Sequence, residues 1–158
     1  MFGRRKVRLP EAEPGRSYVL LATEGRPITS AAIARAADLA KASGARVHVL
    51  AIARIHGVGF ALPAPGLYPN KQELQGLRDT VEAAITALQR RGIDADGHVL
   101  GTRKATKRIV GEAERLGCEA IVMAADPPRN RFLGDFAWSH EPQRVERRAR
   151  IPVHLVTD

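Results

Sequence analysis

"KRIVGEAERLGCEAIVM" (107–123) decides the fold. Ile109, Val110, Ala113 and Leu116 recur at the three-and-four spacing that lines one face of a helix. Gly117 is a stop for that helix. The run "EAIVMAA" that follows is short, apolar and nearly free of charge, as a strand buried on both faces should be. A helix that hands over to such a strand through one glycine is half of a parallel α/β unit.

The same alternation extends in both directions. "SYVLLATEG" (17–25) reads as a buried strand ended by glycine. A helix follows, with Ala32, Ile33, Ala36, Leu39 and Ala40 on one face and Gly44 as its stop. "ARVHVLAIA" (45–53) is apolar on both faces, like a central parallel strand. The segment 54–70, rich in proline and glycine, is long for a loop within a domain, and its role is open. Asn70 and Glu73 have the spacing of a capping box. They open a helix with Leu74, Leu77, Val81, Ala84, Ile85 and Leu88 as its stripe, ended by Gly92. "IDADGHVLG" (93–101) is a third strand, weakened by Gly97. "EPQRVERRA" (141–149) is a short basic helix and "IPVHLVTD" (151–158) a last strand. Strands and helices that alternate in this way predict an α/β fold, a parallel doubly wound sheet with helices on both faces.

Composition narrows the function. The 158 residues suit one domain, read as 17–158 behind a flexible basic leader, 1–16. Hydrophobic residues make up 44% and aromatics only 4%, so the core must consist of Val, Ile, Leu and Ala. The single cysteine, Cys118, excludes an intrachain disulfide and fits a cytoplasmic protein. No apolar run approaches the roughly 20 residues of a transmembrane segment. The net charge of +8 raises the question of nucleic acid or an anionic membrane. The basic residues are spread along the chain, and aromatics are too few to interleave with them as stacking platforms, so a nucleic-acid partner is not expected.

No catalytic constellation emerges, and the expectation is a protein that is not an enzyme. Ser139, His140 and Glu141 are neighbours in sequence, which rarely face one another, so they make no triad. None of the five histidines has the spacing of a helical metal pair. His48, His98 and His154 fall on predicted strands and read as sheet histidines, so no metal is expected. Cys118 reads as a buried inert thiol.

"VLLATEG…AAIARAADLA", "RVHVLAI", "IVGEAERLGCEAIVM" and "RVERRARIPVHLV" together resemble the universal stress protein family, over about residues 17–157. The resemblance implies a five-stranded parallel sheet in the order 3-2-1-4-5 with four helices, adenine-nucleotide alpha-hydrolase-like. It also implies a homodimer through the last strand, with Val153, His154, Leu155 and Val156 at the interface, and one branch of the family binds ATP or AMP. That branch carries Gly-x-x-Gly, nine further residues, then Gly-Ser or Gly-Thr after the fourth strand. Here the two loop glycines fall on Ala124 and Pro127, and the closing pair on Ser139 and His140, with the loop about two residues longer than usual. The family's first-strand aspartate falls on Glu24. Thr23, Glu24, Ile52, Ala124, Asp126, Arg129, Arg131, Ser139 and His140 are the candidate contacts should a nucleotide bind.

The residues themselves argue against that ligand. A phosphate nest needs inward-pointing backbone N–H groups, and Pro127 and Pro128 have none. Asp126 and Glu24 face the same crevice, where like charges cost on the order of 4 kcal/mol before screening, a cost that Arg129, Arg131, Arg103 and Lys104 offset only in part. The expected function is therefore a non-enzymatic domain acting through homodimerisation and contacts with an unidentified protein partner, without a cofactor. Two alternatives stand beside it: an adenine-nucleotide sensor with an altered phosphate site, taking ATP or AMP, and a basic surface for nucleic acid or anionic membrane. Phe132, Leu133, Phe136 and Trp138 in the altered loop read as a plug for the crevice or as a partner surface.

Overall fold

The computed structural model describes residues 11–55, 70–126 and 140–157. Its elements run β1 (Tyr18–Thr23), α1 (Ser30–Ser43), β2 (Arg46–Arg54), α2 (Lys71–Arg90), β3 (Ala95–Thr102), α3 (Ala105–Leu116), β4 (Cys118–Ala124), α4 (Glu141–Arg148) and β5 (Val153–Val156). The five strands form one parallel sheet in the order β3-β2-β1-β4-β5. This is the expected doubly wound α/β architecture.

Alternate residues of each strand face opposite sides of the sheet, and both sides are covered. Val19 and Leu21 of β1 and Val47, Val49 and Ala51 of β2 pack under α1 and α2. Tyr18 and Leu20 of β1, Leu50 and Ile52 of β2 and Ile121 and Met123 of β4 pack under α3 and α4. Alanines Ala32, Ala36, Ala37 and Ala40 form the buried face of α1, which brings this helix close to the sheet. Each leucine, isoleucine or valine fully buried here contributes about 1.5–3 kcal/mol.

The helix ends follow the sequence closely. The Asn70 side chain accepts from the Glu73 N–H at 2.8 Å, and Glu73 accepts from the Asn70 N–H at 3.2 Å. Gly44 and Gly117 end α1 and α3 with left-handed backbones, where a side chain would be strained. Gly97 has a different part from the weakening expected of it. A Cβ there would lie 2.5 Å from the Val49 carbonyl oxygen and 2.8 Å from Val81 Cγ1, so the bare backbone lets α2 pack tightly on β3. Residues 1–10 lie outside the described residues; within 11–16, Glu13 pairs with Arg16 and Arg46. No helix among the described residues is long and apolar enough to cross a membrane.

Candidate functional site

In the order β3-β2-β1-β4-β5, the chain leaves β1 toward β2 on one side and returns beside it as β4 on the other. The crevice between the carboxyl ends of β1 and β4 is thus the switch point at which such sheets bind ligands. Thr23 ends β1 and Ala124 ends β4.

A compact polar knot occupies the β1 side. Thr23 Oγ1 donates to the Arg26 carbonyl at 2.6 Å and accepts from the Gly25 N–H at 3.3 Å. Gly25 has φ 122°, and its positive φ turns the chain back on itself. Arg26 is thereby folded over Glu24, and its Nε–H donates to Glu24 Oε1 at 2.5 Å. Arg26 Nη1 also lies 3.6 Å from Asp126 Oδ1. The side chains of Arg26 and Glu24 are only 6% and 3% exposed. Two carboxylates therefore share one guanidinium, a compensation supplied by a different cation from the four expected from the sequence. Arg26 itself was absent from that expectation.

The remaining candidates divide. Ala124 is buried, and the N–H of Ala125 is bound to the Val156 carbonyl at 2.9 Å, within the sheet. Ile52 is fully buried among the residues under α3. His140 stands exposed at the start of α4; its carbonyl accepts from the Arg144 N–H at 3.1 Å, but its side chain makes no capping bond. Arg129, Arg131 and Ser139 lie outside the described residues, as do Pro127, Pro128, the aromatic cluster 132–138 and residues 56–69 of the long loop.

The last strand ends the sheet. Val153, His154, Leu155 and Val156 are all half-buried, and β4 is the strand they pair with. Arg35 of α1 reaches the edge and donates from Nη2 to His154 Nδ1 at 3.1 Å. Burial and then the Arg35 charge hold the His154 imidazole below its usual pKa, so this nitrogen is an acceptor at neutral pH.

Two further groupings were not visible along the chain. Arg103, Lys104 and Lys107 at the start of α3 and Arg144, Arg147 and Arg148 of α4 line one open groove around Glu141. Folding thus concentrates cations that the sequence distributes. Within it Glu141 accepts from Thr106 Oγ1 and pairs with Arg54 and Arg144, each at 3.4 Å.

The second grouping lies between the sheet and α3. His48 of β2 is fully buried, with Nδ1 2.6 Å from Asp96 Oδ1 and Nε2 2.8 Å from His98 Nδ1, both partners on β3. Glu112 of α3 lies beyond, its Oε2 4.0 Å from His98 Nε2. Arg115 holds Glu112 through two bonds, Nε to Oε1 at 2.9 Å and Nη2 to Oε2 at 2.8 Å. Burial, then the His48 charge, pushes the His98 pKa down to about 4, so His98 is neutral at pH 7. Burial is the largest influence and tends to raise the Asp96 and Glu112 carboxyls, yet the His48 and Arg115 hydrogen bonds respectively, together with the positive charges nearby, leave both below their ordinary values. The available signal was strand register: His48 and Asp96 are direct partners in the β2–β3 ladder.

The profile of the universal stress protein family matches residues 16–157 of the chain. The chain belongs to the universal stress protein family. Solved structures agree in fold. The universal stress protein from Archaeoglobus fulgidus in complex with dAMP is 20% identical, with a TM-score of 0.64 over 88% of this chain and 96% of that one. A universal stress protein family member from Burkholderia pseudomallei is also 20% identical, with a TM-score of 0.64 over 89% and 95%. An Arabidopsis thaliana member with AMP bound is 13% identical, with a TM-score of 0.52 over 89% and 91%. No curated protein matches the chain. What these likenesses show is the shared fold.

Proposed function

We propose that this universal stress protein domain is non-enzymatic, acts in the cytoplasm through homodimerisation and protein contacts, and does not take ATP in the family manner. The observation that carries this reading is the buried Arg26–Glu24 pair at the end of β1. Arg26, a cation at this crevice among the described residues, is already bound to a carboxylate, with a second carboxylate, Asp126, at 3.6 Å. An incoming phosphate must compete with both. The prolines at 127 and 128 add no N–H donors to help it. Homodimerisation is supported by the position of β5 at the end of the sheet.

A second reading keeps an adenine nucleotide at this crevice, with Arg26 released from Glu24 to hold the phosphate. The relatives solved with dAMP and AMP favour it. Calorimetry of the full chain with ATP and with AMP, each with magnesium, separates the two. The first reading expects no saturable heat at micromolar ligand. A dissociation constant near 1 μM, about −8 kcal/mol, overturns it and establishes the second.

A further inference from the structure

We propose that His48, His98 and Glu112 form a binding site for a zinc-class divalent transition-metal ion. A carboxylate at neutral pH only accepts hydrogen bonds, so the 2.6 Å contact to Asp96 puts the His48 proton on Nδ1. His48 Nε2 in turn meets His98 Nδ1 at 2.8 Å, so one hydrogen joins the two rings. His98 Nε2 makes no hydrogen bond, in a side chain only 8% exposed, and it lies 4.0 Å from Glu112 Oε2. A buried ring nitrogen with no hydrogen bond, facing a carboxylate oxygen, is a place for a cation.

Donor type and spacing select the cation. Two imidazoles and one carboxylate are a donor set that zinc takes, with a fourth position for water. The three ligand atoms all lie within 4.8 Å of one another. Ligands at about 2.0–2.2 Å from a tetrahedral ion are roughly 3.3 Å apart, so the set has to close by at most about 1.5 Å on any edge. Ion binding exchanges the His48–His98 hydrogen bond for two coordinate bonds.

The surroundings have the form of a built site. Metal-bound histidines usually pass their other N–H to a carboxylate, which fixes the tautomer and strengthens the ligand. Asp96 does this for His48, and Arg115 orients Glu112 through two bonds. Asp96 and Glu112 are balanced by Arg46, 3.6 Å from Asp96, and by Arg115. His98 rides on β3, the edge strand of the sheet.

The test uses the full chain, freed of metal with a chelator, and zinc alone as the probe. Calorimetry is expected to show one zinc per chain. His98→Gln and Glu112→Gln should each weaken binding at least tenfold. Asp96→Asn, which leaves all three ligands in place, should weaken it about 10–100-fold. His154→Gln should leave it unchanged. Cobalt(II) offers a reading that needs no variant: the intense visible bands of a four-coordinate ion are expected. Lack of zinc uptake by the parent overturns the proposal. Uptake unaffected by both ligand substitutions, or a pale six-coordinate cobalt spectrum, overturns it equally.

Discussion

Arg26 Nε–H donates to Glu24 Oε1 across 2.5 Å, and the two side chains are almost wholly shielded from water. Removal of one partner leaves the other's charge buried. Arg26→Met is therefore expected to cost about 3–5 kcal/mol of stability. Glu24→Gln, which keeps an oxygen acceptor while removing the charge, should cost less. Urea unfolding followed by circular dichroism measures both. A loss under about 1 kcal/mol for Arg26→Met would mean that the pair behaves as an exposed ion pair and that the crevice is open to water.

The contrast between what the sequence revealed and what it concealed follows from the range of the interactions. The α3-to-β4 passage was legible because Ile109, Val110, Ala113, Leu116 and Gly117 carry a local period and a local stop. The Asn70–Glu73 box was legible for the same reason, being an interaction over three residues. Arg26 was missed although it is only two residues from Glu24: its role depends on the turn at Gly25 and on Asp126, which the β1–β4 pairing supplies. His48, His98 and Glu112 are drawn from three elements, so their meeting needs both the register and the packing of α3 on the sheet. Gly97 was misread because close packing by α2 and a weak strand leave the same mark in a sequence.

Gly97→Ala tests that packing. The new Cβ would meet the Val49 carbonyl oxygen at 2.5 Å and Val81 Cγ1 at 2.8 Å, and the backbone oxygen has little room to retreat. Overpacking of this kind costs about 1–3 kcal/mol. Thermal unfolding should show the loss, and Val81→Ala should recover part of it when combined with Gly97→Ala. A neutral Gly97→Ala would show that β3 and α2 separate easily.

Cys118 supplies a prediction about reactivity. Burial, with the nearby Glu112 charge adding to it, pushes the thiol pKa up to about 12. The thiolate is the reactive form, and at pH 8 it is present at about one part in 10⁴. Iodoacetamide should leave the native chain unmodified at that pH, as read by mass spectrometry, and should label it fully in urea. Rapid labelling of the native chain at pH 8 would contradict the burial of β4's first residue.

The basic groove between α3 and α4 predicts a weak and strongly salt-dependent affinity for duplex DNA. If its six cations each met a phosphate, log K would fall with log salt with a slope of about −5. Binding should vanish by about 200 mM salt, and Arg144→Glu with Arg147→Glu should weaken it at low salt. Fluorescence anisotropy measures the slope. Sequence discrimination that persists at the higher salt would favour a nucleic-acid partner over the protein contacts proposed above.

The homodimer prediction is sharpened by the β4–β5 ladder. The Pro152 and Val156 carbonyls accept from the Ile121 and Ala125 N–H groups at 3.0 and 2.9 Å. Alternate residues of a parallel strand bond to the same neighbour, so His154 also faces β4, while Val153 and Leu155 direct their N–H groups to the outer edge. A second copy lying antiparallel along β5 would satisfy those groups and close the assembly about a two-fold axis. Val153→Pro removes one outward donor and leaves the β4 bonds in place, whereas His154→Pro would break the sheet itself. Leu155→Lys brings two like charges close across the axis, but Leu155 also packs on the residues under α3 and α4, so its monomer must be checked for folding. Sedimentation should find the parent dimeric and both the Val153→Pro and Leu155→Lys chains monomeric, with circular dichroism spectra like the parent's. A parent that sediments as a monomer refutes the edge-strand dimer, and folded variants that remain dimeric place the interface elsewhere.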